Sequence, residues 1–538
     1  MPSVREMQSS GLIAGNTQQE PVAACRNQPK QNRAGREWQK PAAAERCWQK
    51  LSGTGHATRS RSGPPGTATR QAQIAHNWQY YQCYFAIFEK SNEMRRTILT
   101  ILFSLVIISL GAHPWKPRHY VIIDSDGGID DLKAICLLMA SPDVRILAIT
   151  ASDGFHRAPV AYEKLRSLAD GLHHEGLPVA RPGEEIGLIE KMLTSETTPV
   201  KFISLGSLTT AAEATEQAPA FAGKVKQIYW SNSGLPGKEG SNYRSDPDAA
   251  EKVLAGNIPV TVAGEGGEGF YNGSLLDAIG QIHSPYAARV KDLINSMPGH
   301  SFAYTAFDEM VPLLLHFPEL FTEAGTGEKN SFRKPADISS LREASLKMMR
   351  GETVERMQTI KKMPSDTAFY MPDIQPFVTE IRNKYGEDEW TSGVIANELH
   401  RHLGVFAIIG VKMGIRAREY FCTGVDEMTV TTHAGSIPPL SCMNDGIQVS
   451  TGATPGHGLL TVSSEKPFFA AADFTHNDRT IRITVKKELA DKVSGELKEI
   501  NFIHGLDSDI YWELVRKNSI KYWLQFDRHE IFDIEIIK

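Results

Sequence analysis

The chain has 538 residues, 58 Lys+Arg against 63 Asp+Glu, and 41% apolar residues. That balance suits soluble globular protein of two to four domains and excludes a collagen, a small disulfide knot and a polytopic membrane protein. A formal net charge of −5 gives no ground for a nucleic-acid partner.

Residues 1–93 differ from the rest. They carry 12 Lys+Arg and 6 Asp+Glu, with Cys25, Cys47 and Cys83 among them. Few branched aliphatics and no sustained apolar period predict a disordered arm. Met94-Arg95-Arg96 then precedes the uncharged run Thr97–Ala112, which ends in small residues. A basic head and a short apolar run read as a secretory signal peptide over 94–112, or as a membrane anchor if it is not cleaved. Met94 is read as the true start and 1–93 as a mis-annotated extension. The protein is then expected to be exported, periplasmic or extracellular, and to meet a membrane only through an uncleaved leader. Cys136, Cys422 and Cys442 are too few for a disulfide framework.

From Tyr120 the pattern becomes strand, acidic loop, helix. Tyr120–Asp124 is an apolar run, Asp124-Ser-Asp126-Gly-Gly-Ile-Asp130-Asp131 follows, and Leu132, Ile135, Cys136, Leu138 and Met139 recur at helical spacing. Strands predicted at 145–150, 200–205, 225–230 and 258–263 alternate with helices at 160–172, 209–216 and 248–255. This is an α/β pattern, a parallel sheet with helices on both faces. Ligands in such sheets bind beyond the carboxyl ends of the strands, where the acidic loop lies. Four carboxylates within eight residues repel one another unless a cation is present, and their hard oxygens suit Ca²⁺ or Mg²⁺. The glycine-rich stretch Gly264–Gly269 reads as a loop near the pocket mouth.

Asp124-x-Asp126-x-Gly-x-Asp130-Asp131 resembles the N-terminal signature of the inosine/uridine-preferring nucleoside hydrolases. Leu205-Gly-Ser-Leu-Thr-Thr, Asn242-Tyr-Arg-Ser-Asp246-Pro-Asp-Ala-Ala250 and Phe307-Asp308 resemble later segments of that family in order and spacing. The resemblance covers about 119–330. It implies one Ca²⁺ held by Asp126, Asp131, Asp308 and the carbonyl of Leu205. It also implies Asp126 as the base for an attacking water, with Asp130 and Asn242 on ribose hydroxyls. The implied partner is a nucleoside or sugar-like small molecule, and a homo-oligomer is left open.

Three places depart from the family pattern. Gly154-Phe155 stands where a Gly-Asn pair is usual, Gly240 where a glutamate is usual, and Phe307 where a histidine serves a leaving purine. The metal set survives while several sugar and leaving-group contacts do not. Asp153, His156, Asn232 and Tyr304 lie near the altered positions in sequence and are candidates to substitute, Asp153 and Asn232 as substrate-binding residues.

A polar stretch from Glu323 to Ser339 reads as linker, and 341–362 as helix. Leu399-His400-Arg-His402-Leu-Gly404, Cys442-Met-Asn-Asp445-Gly-Ile-Gln448 and Trp523-Leu-Gln-Phe-Asp527 resemble the formylmethanofuran dehydrogenase E-like domain, over about 340–538. This region is expected to be a smaller α+β metal-binding domain. Imidazoles and a thiolate suit Zn²⁺ or a similar transition metal, with His400, His402 and Cys442 as ligands. On an extended segment the two histidines would share a face; on a helix they would diverge. His433 and His457 are weaker candidates. Two functions follow. One is an exported Ca²⁺-dependent hydrolase of N-glycosidic bonds. The alternative is a metal-dependent sugar or nucleoside binder without turnover, the C-terminal domain carrying the main activity.

Overall fold

The computed structural model describes residues 116–234, 238–327, 329–354, 359–360 and 362–538. The expected arm at 1–93 and leader at 94–112 lie outside the described residues. Among those described, no helix is long and apolar enough to cross a membrane.

The first region alternates as its sequence predicts: β1 (His119–Ser125), α1 (Ile129–Ala140), β2 (Val144–Ala151), α2 (Ala158–Gly171), α3 (Glu185–Ser195), β3 (Val200–Ser204), α4 (Thr209–Gln217), β4 (Val225–Ser231), α5 (Pro247–Ala255) and β5 (Val260–Ala263). Then come α6 (Pro285–Asn295), α7 (Met310–His316), β6 (Phe321–Thr326), β7 (Ser331–Pro335) and α8 (Ile338–Met349). The strands form one sheet in the order β2-β1-β3-β4-β5-β7-β6. All neighbours are parallel except β6 with β7.

Alternation along β1 shows why the sheet is covered twice. Val121 and Ile123 enter a core with α1 and α6, while Ile122 enters a second core with Phe202, Ile228 and Trp230 on the other face. A strand buried on both faces has no polar side to spare, hence its unbroken apolar run.

The stretch expected as linker is instead β6, β7 and the start of α8. Thr261, Val262 and Ala263 of β5 pair with Ser331, Phe332 and Arg333 of β7, and Leu341, Met348 and Met349 of α8 are buried in the first core. The polar side chains of β6 and β7 conceal the pairing because an edge hairpin needs backbone hydrogen bonds more than apolar burial. The first region therefore reaches past residue 330 to about Met349, and the helix expected over 341–362 ends there.

The second region has α9 (Val378–His400), α10 (Val405–Phe421), β8 (Thr429–Thr432), α11 (Met443–Thr451), β9 (Leu460–Val462), β10 (Ala471–His476), β11 (Arg479–Val485), α12 (Lys487–His504), α13 (Asp509–Gln525) and β12 (Phe532–Ile536). Its five-stranded sheet runs β12-β11-β10-β8-β9. It is antiparallel except at β8 with β9. Gly410 on α10 and Gly446 on α11 explain how two helices meet backbone to backbone. A Cβ at Gly410 would lie 2.1 Å from the Met443 carbonyl oxygen, and one at Gly446 would lie 2.0 Å from that of Ala407. No larger residue fits either place.

Among the described residues, both regions lie in one compact unit. Arg416 meets Glu175 at 2.6 Å, Gly176 donates its N–H to the Tyr420 carbonyl, and Arg145 donates to the Cys422 carbonyl at 2.9 Å.

Candidate metal centres and active-site pocket

The turn after β1 aims the acidic loop across the carboxyl ends of the parallel strands. Gly127 takes a left-handed φ of 73° there. A Cβ on it would lie 2.8 Å from Ala161 Cα in α2, so both conformation and space require glycine. Asp130 and Asp131 fall in the first turn of α1. Asp308 comes from the turn before α7.

Asp130, Asp131 and Asp308 each bring a carboxylate oxygen to within 4.8 Å of the others. The Ser125 hydroxyl donates to Asp131 Oδ1 at 2.6 Å, and the Asp126 N–H donates to the same oxygen at 3.2 Å. Burial, then the neighbouring carboxylates, push Asp131 and Asp308 well above the ordinary carboxylate range. Burial and the nearby Glu309 push Asp130 up to about 6. Oxygens crowded this way, with no Lys, Arg or His lining the pocket among the described residues, fit a hard divalent cation such as Ca²⁺.

Asp126 lines the same pocket but is not one of the three carboxylates that meet most closely. Its Oδ2 accepts the Phe155 N–H at 2.9 Å. Leu205 also lines the pocket; its carbonyl accepts from Asn242 Nδ2 at 2.8 Å. The other Asn242 amide proton goes to the Ser231 carbonyl at 2.9 Å. Asn242 thus reaches the pocket with its NH₂ already committed, leaving only Oδ1 to accept from a sugar hydroxyl. Asp124 lies beneath the pocket, fully buried, with Oδ1 accepting from Thr150 at 2.6 Å; burial pushes it up to about 7.

Two residues expected as substrate contacts lie outside the pocket lining. Asp153 is exposed and outside the pocket lining; its Oδ1 accepts the Ala158 N–H at 2.7 Å at the start of α2. A short acceptor just ahead of a helix is drawn to the free N–H groups of its first turn. Asn232 is buried and holds the loop that follows β4. It donates to the Gly234 and Glu239 carbonyls at 3.0 and 2.6 Å and accepts from the Tyr243 N–H at 3.3 Å. This lock also explains Gly240: a Cβ there would lie 2.3 Å from Asn232 Oδ1, at a φ of 103°. The glutamate usual at that place cannot stand on this backbone. His156 packs its ring edge-on to Phe155, and Tyr304 packs against the first core; neither lines the pocket.

Sequence reasoning missed Lys133, Glu309 and Glu265. Lys133 and Glu309 are fully buried and paired at 2.8 Å. The signal for Lys133 was a lone cation inside the apolar stretch of α1. Phe302 was also missed; it joins Phe155 and Phe307 at the pocket, with ring centroids 6.1 Å from Phe155 and 5.2 Å from Phe307.

At the second site neither simple geometry holds. His400 ends α9, Arg401 turns left-handed at φ 68°, and His402 follows with its ring centroid 4.2 Å from that of His400. The turn gathers two imidazoles that a continued helix would separate. His400 Nδ1 lies 2.7 Å from Asp445 Oδ2 on α11. Its Nε2 is shielded and has no hydrogen-bond partner among the described residues. The Asp445 and Cys442 contacts raise His400 to about 9, while burial lowers His402. A Cβ at Gly404 would lie 3.3 Å from His400 Nε2 and 3.6 Å from His402 Nε2, so both nitrogens border the space beside Gly404. Cys442 is buried at the start of α11. The three ligand atoms do not all lie within 4.8 Å of one another, yet imidazole with an orphaned nitrogen beside a thiol suits a transition metal. His433 is instead paired with Asp473 at 3.0 Å, and His457 lies 3.4 Å from Asp426.

Two family models match separate parts of the chain. Residues 121–266 match the family model of inosine-uridine preferring nucleoside hydrolase. Residues 399–508 match that of FmdE, molybdenum formylmethanofuran dehydrogenase operon. The chain thus joins a nucleoside hydrolase-like region to an FmdE-like one. The pyrimidine-specific ribonucleoside hydrolase RihA of Salmonella agona is 29% identical over 185 residues, covering 27% of this chain and 59% of that protein. The same enzyme from Salmonella typhi is 28% identical over 218 residues, 32% and 66% of the two chains. The chain therefore spans about three fifths of the length of the curated relatives it matches. Among solved structures, a plant nucleoside hydrolase has 18% identity and a TM-score of 0.37, covering 44% of this chain and 99% of its own. The purine-preferring ribonucleoside hydrolase from Gardnerella vaginalis has 15% identity and a TM-score of 0.36, with the same coverages.

Proposed function

We propose that the first region hydrolyses the N-glycosidic bond of a ribonucleoside-like substrate with the help of Ca²⁺. The observation that carries this is the meeting of Asp130, Asp131 and Asp308 within 4.8 Å at the carboxyl ends of a parallel sheet. The proposed ligands are Asp131 and Asp308 of that group together with Asp126 and the Leu205 carbonyl, which border the same pocket. A divalent cation there supplies Lewis-acid polarisation of a water and a hold on the sugar hydroxyls. Asp126 accepts the water's proton; the Phe155 N–H fixes its orientation. Asp130 and Asn242 Oδ1 accept from sugar hydroxyls. The buried carboxylates also stabilise the positive charge that develops on the sugar as the base departs. RihA, named as pyrimidine-specific, supports the reaction class. Export through the leader at 94–112 belongs to the same proposal.

The test is to incubate the full chain with purine and pyrimidine nucleosides plus Ca²⁺ and measure reducing sugar. Release that disappears with chelator is expected. No release from any nucleoside, together with thermal stabilisation by Ca²⁺ plus ribose, would establish a binding protein instead. Phe307 and Gly240, which replace the usual histidine and glutamate, favour that second reading. In either case His400, His402 and Cys442 are proposed to hold Zn²⁺ or a similar ion in the second region, with the thiol deprotonated by the metal. Metal analysis of the purified protein, with calcium and zinc expected, checks both sites.

A further inference from the structure

A second group of ligating side chains lies at the other end of the first sheet, away from the carboxylate pocket. His119 opens β1, Asp143 stands just before β2, and His316 closes α7. Each brings one ligand atom to within 4.8 Å of the other two. His119 Nε2 is 3.9 Å from Asp143 Oδ2, and the two imidazole rings meet edge to face with centroids 5.3 Å apart. The Asp143 side chain is 1% exposed and that of His119 12%, so the group is screened from bulk water.

The lone pair of His316 is fixed by its surroundings. Nδ1 lies 2.9 Å from the Pro312 carbonyl, which can only accept. Nδ1 therefore carries the proton, and Nε2 is the acceptor of the neutral ring. That nitrogen lies 2.8 Å from the Ser141 hydroxyl. A backbone carbonyl behind the imidazole is the usual support of a metal-ligating histidine. Two cations face the group. Arg118 donates its backbone N–H to Asp143 Oδ1 at 2.8 Å and its Nε–H to Oδ2, and Lys201 Nζ meets His119 Nδ1. The Arg118 side chain is 61% exposed, so it can swing into water and give up its place on Asp143.

We propose that His119 Nε2, His316 Nε2 and the Asp143 carboxylate hold a divalent transition metal, Zn²⁺ or an ion of like preference, which takes the place of the Arg118 side chain on Asp143. Two imidazoles with one carboxylate suit such an ion and not Ca²⁺. Bonds of about 2.0–2.1 Å put tetrahedral ligand atoms about 3.3 Å apart, so the group must close by about 1 Å, which side-chain torsions allow. Binding through Nε2 leaves the His119 proton on Nδ1, so Lys201 gives up its contact there. The ion ties the starts of β1 and β2 to the end of α7, the helix whose preceding turn carries Asp308. The site is separate from the two proposed above and stands whether or not the first region is a hydrolase.

The full chain is dialysed and kept in excess Ca²⁺ to fill the carboxylate pocket, then titrated with Zn²⁺ in a calorimeter. Because Arg118 competes for Asp143, the ion is expected to exchange readily and to be lost on dialysis, so titration and not residual content reads it. The parent should take up one more equivalent than His316→Gln or His119→Gln. Arg118→Gln should keep that equivalent and bind it about two- to fivefold tighter, the worth of a surface ion pair. A merely structural role for Arg118 would not tighten metal binding. Thermal unfolding in chelator checks that each histidine variant is folded, and should one fail, the other decides. Equal uptake by the parent and the folded histidine variants overturns the proposal. Weaker binding in Arg118→Gln overturns it as well.

Discussion

Lys133 Nζ stands 2.8 Å from Glu309 Oε1, with neither side chain exposed to solvent. Lys133 also donates to the Thr305 carbonyl at 2.8 Å, Tyr271 donates its hydroxyl to Glu309 at 2.8 Å, and the Phe307 N–H donates to Glu309 Oε2 at 3.0 Å. This pins the Thr305–Glu309 turn, which carries Asp308, onto the helix that carries Asp130 and Asp131. Removing one partner leaves a buried charge uncompensated. Lys133→Met is expected to lower stability by about 3–5 kcal/mol in urea unfolding, with partial recovery in Lys133→Met/Glu309→Leu. A loss below about 1 kcal/mol would show that the pair is dispensable.

Asp131→Asn should reduce Ca²⁺ affinity by about 100-fold or more, since it removes one anionic oxygen from a set of three and disturbs the hydrogen bonds from Ser125 and Asp126 that orient it. Titration calorimetry reads this directly, and unchanged affinity would remove Asp131 from the ligand set.

Calcium binding should weaken as pH falls. Asp130 is raised to about 6, and Asp131 and Asp308 are raised by burial and mutual repulsion. Each must lose its proton to bind. All three shifts are upward from the unfolded value of about 3.9, so protonation favours the metal-free fold at low pH, and the Asp130 contribution is lost as pH rises through about 6. Ca²⁺ should therefore raise Tm more at pH 7 than at pH 5. An equal rise at both would argue against proton–metal competition.

His119, at the opposite end of β1, behaves in the other sense. Burial and the nearby Lys201 lower it to about 3, while the unfolded chain titrates near 6.5. The unfolded state binds more protons between those values, so stability should fall by up to about 1.4 kcal/mol per pH unit below pH 6.5. Thermal unfolding from pH 7 to 4 should slope less steeply in His119→Gln than in the parent.

At the second site, Asp445 orients His400 by its 2.7 Å contact with Nδ1, which leaves Nε2 to face a metal. Asp445→Asn should weaken transition-metal affinity by about 10–100-fold, whereas Cys442→Ser should abolish stoichiometric binding. Zinc content after dialysis distinguishes the two. Full retention in Cys442→Ser would exclude the thiol as a ligand.

The acidic loop and the strands β1 to β5 were legible in the sequence because each is local. Short stretches rich in apolar and β-branched residues, a pair of glycines and clustered carboxylates declare themselves within a dozen positions. The motif Asp124–Asp131 therefore locates the pocket by itself, and His400, His402 and Cys442 are the residues from which the second metal site is proposed.

What only the tertiary structure decided depends on residues far apart in the chain. Asp308 stands 177 positions beyond Asp131, and their separation follows from the packing of α1 against the turn before α7. The edge strands β6 and β7 were concealed because backbone pairing with β5 leaves no mark on side-chain polarity. Asp153 and Asn232, near the pocket in sequence, were drawn away by unsatisfied backbone groups closer at hand. The pairing of Lys133 with Glu309 and the meeting of Phe155, Phe302 and Phe307 have the same origin. Sequence determines which groups are present and how each segment folds locally. Hydrogen-bond satisfaction and close packing determine which of those groups face one another.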